Sequence, residues 1–268
     1  MRIADHIAAL RAEGPLLVSA AERGGPDAPV PSCPGWRMRD LVRHVSNVHR
    51  WAARYVIEEH PVWMDRLSED DMVRSGLADD KDLPGWFLDG LQRLVAALED
   101  ADPGMTCWTF LPAASPLAFW ARRQAHETAI HRVDAELAAG AGQLAPFPPG
   151  LAGDGIDELI TGFARRQSKR GLRADPPCWL AIHARPGPGP GGSGSGDWLV
   201  RMAPDSAAVA RGTVPADDVP EGTGCELTGP AEALYLMLWN RGGTGGVEVR
   251  GDPRALGLWR EHVHVRWT

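Results

Sequence analysis

The chain has 268 residues, 44% of them hydrophobic and 24% charged, as expected for a soluble globular protein that buries a core. Its 35 acidic and 28 basic side chains give a formal net charge of −7, which argues against a general nucleic-acid partner. No apolar stretch approaches the roughly 18 residues that a membrane span requires.

The cysteine and lysine content narrows the class of protein further. The four cysteines lie far apart with no Cys-x-x-Cys pair, which excludes a cysteine zinc knuckle and disfavours a disulfide scaffold. Asp5 stands where a secretory signal would have its apolar run, so we expect a cytoplasmic protein. Lys81 and Lys169 are the only lysines, and Ala, Gly and Pro are abundant, a composition typical of a GC-rich bacterial genome.

The first part of the chain is predicted to be helical. Apolar side chains recur there every three to four residues, which is the period of an amphipathic helix. The predicted helices cover Ile3–Arg23, Pro34–His60, Pro84–Asp100, Pro116–Gly140 and Ile156–Arg173. Pro84 suits a first helical turn and Gly140 a C-terminal cap. The acid-rich stretch from Ser68 to Asp82 is predicted to be a loop or short turns.

The character of the chain changes near Ala174, beyond which short β-type runs begin. The predicted strands are Trp179–Ala184, Trp198–Ala203 and Val247–Arg250, and the predicted helices are Pro230–Arg241 and Asp252–His262. The Gly/Pro/Ser tract from Pro186 to Gly196 is either a lid over a cleft or a tolerated insertion. The chain is therefore predicted to be an α+β protein, with a helical bundle over residues 1–173 and a small α/β domain over residues 174–268.

Three side chains on two predicted helices are candidate metal ligands. Glu127 and His131 are four residues apart, so they project from one helix face a single turn apart. His44, on a facing helix, would add a third ligand. Three protein ligands and an open fourth position are typical of catalytic zinc, and the open position could hold a water or a thiolate.

The other histidines fit this site less well. His126 and His131 are five residues apart, or about 140° around a helix, so they cannot easily chelate one ion. His49 is predicted to lie on the wetter side of its helix, and His44 on the apolar side. Spacing alone leaves the metal site open, because a Glu–His pair four residues apart is also typical of a helix surface. His44 by itself is more typical of a capped or core histidine.

Four segments resemble the mycothiol-dependent maleylpyruvate isomerase family, nearly throughout the chain and in the family's order. Residues 32–44 read SCPGWRMRDLVRH, which resembles the family signature CPGW-x-x-RDL-x-x-H. Residues 120–136 read WARRQAHETAIHRVDAE and resemble its second signature. Residues 234–241 (LYLMLWNR) and 247–252 (VEVRGD) resemble its C-terminal domain.

The resemblance implies a DinB-like four-helix bundle followed by the family's small α/β domain. It implies a divalent metal, usually zinc, held by His44, Glu127 and His131, the same residues that the spacing selects. In the family the metal lowers the pKa of the mycothiol sulfur, so that a thiolate is present at neutral pH. The thiolate adds to the double bond of maleylpyruvate, the new single bond rotates, and thiol expulsion gives fumarylpyruvate.

The resemblance also suggests where an anionic substrate is bound. The family's C-terminal domain is thought to contribute an arginine, and Arg201 and Arg241 are the candidates, although a solvent-facing Arg201 fits the strand pattern equally well. Arg122 and Arg123 either neutralise a carboxylate such as Asp134 or are surface charges. Cys33 is interpreted as a small buried residue at a helix entrance, because no histidine is near it in sequence.

Isomerisation of maleylpyruvate is the default hypothesis for the activity. A mycothiol S-transferase that acts on another electrophile is the nearest alternative, and a non-catalytic metal-binding module is the third. The first two imply a small electrophilic substrate and a low-molecular-weight thiol as partners, with no nucleic acid and no membrane.

Overall fold

The computed structural model describes residues 1–68, 71, 79–167, 171–186, 195–212 and 224–265. The chain divides into two compact units, Met1–Pro146 and Phe147–Thr268, and each is described by itself. The first unit is helical and the second contains a sheet, so the predicted α+β class is confirmed. The boundary predicted from composition lies later, at 173/174, whereas the contacts of the helical segment after residue 147 group it with the sheet.

Four long helices form the first unit. They are α1 (Ile3–Gly24), α2 (Met38–Glu58), α3 (Leu83–Asp100) and α4 (Pro116–Ala138), with a 3-10 turn at Asp80–Asp82 before α3. Helices α1 and α2 each pack against α3 and α4, which gives a four-helix bundle. Gly140 has φ = 72° just beyond α4, as predicted for a C-terminal cap. Most of the predicted Ser68–Asp82 loop, residues 69–70 and 72–78, lies outside the described residues.

Helix α4 is buried around nearly its whole circumference, charged side chains included. Arg132 is fully buried, and its guanidinium donates to Glu13 of α1 and to Glu136 one turn along, each at 2.7 Å. A charge can be buried when it is paired and hydrogen-bonded in this way. Such pairing explains why a helix with so many polar residues can occupy the centre of the bundle.

The second unit places a five-stranded sheet after a short helical segment. That segment consists of α5 (Leu151–Glu158), a π-helical turn (Leu159–Ala164) and a helical turn (Arg165–Gln167). The strands are β1 (Cys178–Arg185), β2 (Gly196–Met202), β3 (Ala207–Arg211), β4 (Gly224–Pro230) and β5 (Glu248–Gly251); α6 (Ala231–Leu238) follows β4, and α7 (Arg254–His262) follows β5. The order across the sheet is β3-β2-β1-β4-β5, with β1 and β4 parallel and the other neighbours antiparallel.

The second unit differs from its sequence prediction in three places. The predicted helix from Ile156 to Arg173 begins earlier, at Leu151, and changes to π-helical geometry after Glu158. Strands β3 and β4 were not predicted, because their sequences carry few β-branched residues. Residues 187–194 of the predicted Pro186–Gly196 loop lie outside the described residues. Among the helices described, none is long and apolar enough to cross a membrane.

Candidate metal centre

The three predicted metal ligands lie together in the first unit. His44 on α2 faces Glu127 and His131 on α4, and one ligand atom from each lies within 4.8 Å of the others. Oε1 of Glu127 is 3.1 Å from Nε2 of His44 and 3.3 Å from Nε2 of His131. Both imidazoles therefore turn the same ring nitrogen toward one carboxylate oxygen.

This arrangement fits a divalent metal. Metal–ligand bonds of about 2.0–2.1 Å in a tetrahedral site place neighbouring ligand atoms about 3.3 Å apart. Both measured separations from Oε1 of Glu127 are close to that value. Two imidazole nitrogens and one carboxylate oxygen are also the donor types that catalytic zinc sites use.

Capping hydrogen bonds define where α2 and α4 begin. At the start of α2, the Arg37 N–H donates to Oδ2 of Asp40 at 2.8 Å, in keeping with the position of this acid in the first turn. At the start of α4, the Ser115 hydroxyl oxygen accepts from the Ala118 N–H at 3.1 Å. The packing of α2 against α4 then brings the ligand pair on α4 to His44.

Glu127 is surrounded by donors. Its Oε2 accepts from Nη2 of Arg123, one turn earlier on α4, at 3.2 Å, and Arg123 is only 1% exposed. Burial alone would raise the pKa of Glu127, but the hydrogen bonds from His131 and His44 and the charge of Arg123 outweigh it. The pKa of Glu127 is therefore held well below its usual range, and the carboxylate is ionised and able to bind a cation.

His131 is held by acceptors on both sides of its ring. Its Nδ1 lies 2.8 Å from Oδ2 of Asp134, and its Nε2 faces Glu127. Burial alone would lower the pKa of His131, but hydrogen bonds with Asp134, Cys33 and Glu127 outweigh it and raise the pKa well above the usual value. A metal bound at Nε2 would displace the proton there, while the carboxylate of Asp134 keeps the proton on Nδ1.

The pKa of His44 shifts in the opposite direction. Burial lowers its pKa, and although Glu127 opposes this shift, the positive charges of His131 and Arg66 add to it. Nη1 of Arg66 lies 3.4 Å from Nδ1 of His44. The sequence analysis did not identify Arg66, because it lies in an irregular segment where no periodicity marks the side that a residue faces.

The first signature segment folds against the same histidines. The Ser32 hydroxyl donates to Oδ1 of Asp134 at 2.5 Å, and Sγ of Cys33 lies 3.6 Å from the other carboxylate oxygen. The ring of Trp36 lies 4.9 Å from that of His44 and stacks at 6.3 Å on that of His131, measured between centroids. This tryptophan therefore forms a wall of the candidate centre.

The interpretation of Cys33 as a small buried residue at a helix entrance was wrong about its burial. Cys33 is partly exposed, and together with His131 and Asp134 it forms a second group of potential ligands. Cys33 and Asp134 are 101 residues apart in sequence, so only the packing of the loop before α2 against α4 brings them together. In the sequence, only the Ser-Cys pair at the start of the signature could have indicated that this loop reaches the candidate centre.

His49 also differs from its prediction. It was expected on the wetter side of α2 but is fully buried, because α4 covers that side as well. Its Nε2 lies 2.8 Å from the hydroxyl of Thr128, which itself donates to the carbonyl of Gln124. In the part of the chain that the structure describes, no potential ligand group contains both His126 and His131, in agreement with their spacing.

The predicted arginines fall into two sets. Arg123 donates to Glu127, and Arg122 is partly exposed. Arg201 and Arg241 belong to the second unit. Arg201 is exposed on β2, opposite Trp179 of β1, with its guanidinium carbon 5.7 Å from the indole centroid. Arg241 follows α6, and its Nη1 donates to the carbonyl of Trp239 at 2.9 Å.

Two family profiles match most of the chain. The profile described as the mycothiol maleylpyruvate isomerase N-terminal domain matches residues 7–136, which include all three candidate ligands. The profile described as the MDMPI C-terminal domain matches residues 151–258. A comparison with curated protein sequences gives no match.

Two solved structures share the fold. The chain is similar to the crystal structure of the mycothiol-dependent maleylpyruvate isomerase, with a TM-score of 0.58 and 12% sequence identity over 93% of both chains. It is also similar to a mutant of that enzyme, with a TM-score of 0.59, 12% identity and the same coverage. At this level of identity the likeness establishes the fold alone.

Proposed function

The chain belongs to the mycothiol maleylpyruvate isomerase family, and from that premise we propose that it is a metal- and mycothiol-dependent enzyme. The reaction that we propose is the cis–trans isomerisation of maleylpyruvate to fumarylpyruvate. One observation carries the proposal: ligand atoms of His44, Glu127 and His131 converge within the part of the chain that matches the family's N-terminal domain. Zinc is the metal that we propose, because it favours this donor set.

Isomerisation about a carbon–carbon double bond needs a nucleophile that adds to the bond, allows rotation and then leaves. When bound, a divalent metal would lower the pKa of a coordinated thiol, so that mycothiol supplies this nucleophile as a thiolate at neutral pH. The protein's part is to hold the ligands in place and to position the substrate.

The residues around the centre support these roles. Arg123 keeps Glu127 ionised, and Asp134 holds the Nδ1 proton of His131, so that a carboxylate oxygen and the Nε2 atom of the imidazole face the metal position. The ring of Trp36 lies against both histidines and forms a wall on that side. The site therefore presents three oriented donors at one position.

An anionic diacid substrate also needs cationic partners. We keep Arg201 and Arg241 as proposed binding residues, because a guanidinium binds a carboxylate through two parallel hydrogen bonds. Replacing either with Gln is expected to raise KM for the anionic substrate and to leave the zinc content unchanged. The cytoplasmic location stays a prediction from the sequence, as does an origin in actinobacteria, which make mycothiol and which the GC-rich composition suits.

The test is product analysis with zinc-loaded protein, mycothiol and maleylpyruvate. Wild type is expected to form fumarylpyruvate in a mycothiol-dependent reaction, and Glu127→Gln is expected to abolish it by weakening the metal site. Glu99→Gln, on the exposed face of α3, is the matched control and retains activity. Zinc-loaded wild type that binds mycothiol but leaves maleylpyruvate unchanged contradicts the isomerase assignment.

The same experiment separates the two alternatives. A mycothiol S-transferase consumes the thiol and yields a stable adduct with an electrophile, whereas the isomerase regenerates the thiol. A non-catalytic metal-binding module retains zinc and shows no affinity for mycothiol.

A further inference from the structure

Arg66 lies beside the ring nitrogen of His44 that does not face Glu127. Its Nη1 is 3.4 Å from Nδ1 of His44, whereas Nε2 of the same ring lies 3.1 Å from the Glu127 carboxylate. The guanidinium is therefore close to the candidate metal centre without touching the carboxylate that the centre uses.

Hydrogen bonds to α2 hold the segment that carries this arginine. The side-chain amide of Asn47 donates to the carbonyl of Leu67 at 2.7 Å and accepts from its N–H at 3.0 Å. The indole of Trp51 donates to the carbonyl of Met64 at 2.8 Å. His44 lies three residues before Asn47 and seven before Trp51, so all three occupy one face of α2. The segment follows this face and brings its arginine to the centre.

Arg66 also differs from the other arginine near the centre. Arg123 is 1% exposed and bonded to Glu127. Arg66 is partly exposed, and within the described ranges its hydrogen bond to His44 is its only one and no carboxylate lies within ion-pair distance. A guanidinium that is near the centre, partly exposed and without an anionic partner there is available to bind an anion.

The hydrogen bond between Arg66 and His44 uses a ring lone pair that metal binding through Nε2 would remove. A guanidinium can only donate, so the contact requires a lone pair on Nδ1. A metal bound through Nε2 requires the lone pair there, and the neutral ring then carries its proton on Nδ1. Two donors would then face each other, so the guanidinium would lose its hydrogen bond to the ring.

We propose that Arg66 binds a carboxylate of the anionic substrate once His44 holds a metal. The inference rests on the proposed function and adds a specificity-determining residue to it. A guanidinium released from His44 pairs with a carboxylate through two parallel, charge-assisted hydrogen bonds. Metal binding by His44 would thus make the Arg66 guanidinium available to the substrate carboxylate.

The first test measures binding of maleate, a dicarboxylate, to zinc-loaded protein by calorimetry, with uncharged maleamide as the comparison ligand. Arg66→Gln is expected to raise the Kd for maleate about tenfold or more, the loss typical of charge-assisted hydrogen bonds, and to leave maleamide unaffected. Arg66→Lys, which keeps the charge without the planar pair of donors, is expected to recover part of the affinity. Arg54→Gln, which removes an exposed arginine of α2 paired with Glu58, is the matched control.

Zinc content and mycothiol binding are measured on the same samples, so that two kinds of failure can be told apart. Zinc-loaded wild type that binds no maleate, or Arg66→Gln that binds it as tightly as wild type does, overturns the role of Arg66 alone. Protein that takes up no zinc overturns the proposed function, and the role of Arg66 with it.

The second test reads the ring of His44 directly and needs no activity. Nitrogen chemical shifts of this ring are expected to report a proton on Nε2 in zinc-free protein and on Nδ1 after zinc is added. Arg66→Gln is expected to shift Nδ1 in the zinc-free protein only. A proton already on Nδ1 before zinc is added contradicts the proposed exchange of partners.

Discussion

One oxygen of the buried Asp134 carboxylate accepts a hydrogen bond from Nδ1 of His131 at 2.8 Å. Its other oxygen accepts a hydrogen bond from the hydroxyl of Ser32 at 2.5 Å. Asp134 is fully buried, so neither oxygen relies on water. A carboxylate placed behind a histidine in this way fixes both the orientation and the tautomer of the ring. The acid therefore acts on the candidate metal centre through His131.

The first prediction follows from this pair. Asp134→Asn keeps the shape of the side chain but removes the negative charge that orients His131, and it is expected to weaken zinc affinity about 10- to 100-fold. Titration against a chelating indicator measures the change. Ser32→Ala, which removes only one donor to the same carboxylate, is expected to have a smaller effect. Unchanged zinc affinity in Asp134→Asn would show that the acid does not position the histidine.

The second prediction concerns Arg123, the buried partner of Glu127. Arg123→Met leaves the buried carboxylate without its guanidinium and is expected to lower the free energy of unfolding by about 3 kcal/mol. Urea unfolding followed by circular dichroism measures the change. Arg54→Met is the control, because it breaks an exposed pair with Glu58 and is expected to cost no more than about 0.5 kcal/mol.

A double variant tests whether the loss arises from the unpaired charge. Arg123→Met combined with Glu127→Gln is expected to recover most of the stability, since no buried charge then lacks a partner. If the double variant is as unstable as Arg123→Met, the loss reflects packing around the arginine instead.

The third prediction is a pH dependence set by His49. Burial lowers the pKa of His49 to about 3, from an ordinary value of 6.5. The unfolded chain therefore binds a proton below pH 6.5 that the folded chain does not bind. The stabilisation from a neutral His49 is complete above pH 6.5 and is lost as the pH falls toward 3.

His49→Gln isolates this contribution, because an amide can still donate to Thr128 but does not titrate in this range. Between pH 6.5 and pH 5, wild type is expected to lose about 2 kcal/mol more unfolding free energy than the variant does. Urea unfolding at several pH values measures the difference. Parallel pH profiles for the two proteins would mean that His49 is accessible to protons in the folded state.

Periodicity predicts the bundle well but cannot show how deeply each face is buried. Apolar spacing located the four long helices, and a four-residue spacing placed Glu127 and His131 on one face. The same periodicity placed His49 on the solvent-facing side of α2, which was wrong. Because α4 is buried on nearly all sides, its sequence has no amphipathic pattern, and nothing in it indicates that it covers His49. Burial of α4 depends on pairs such as Arg132 with Glu13, which lie 119 residues apart.

The surroundings of the centre were missed for a related reason. Ser32 and Cys33 reach Asp134 across about a hundred residues of sequence, and Arg66 lies in an irregular segment held by side chains of α2. Local patterns carry no information about such contacts. In the second unit, β4 has only one β-branched residue, Thr228, so its composition does not predict a strand. It becomes a strand through its parallel pairing with β1.

Zinc content, measured by plasma mass spectrometry on protein purified without a chelator or a histidine tag, tests the central claim most directly. Wild type is expected to contain about one zinc per chain, and His131→Ala is expected to lose it. His183→Ala, which removes a histidine paired with Asp197 in the second unit, is expected to keep it. Folded wild type that contains no metal and takes up none from added zinc would contradict the account.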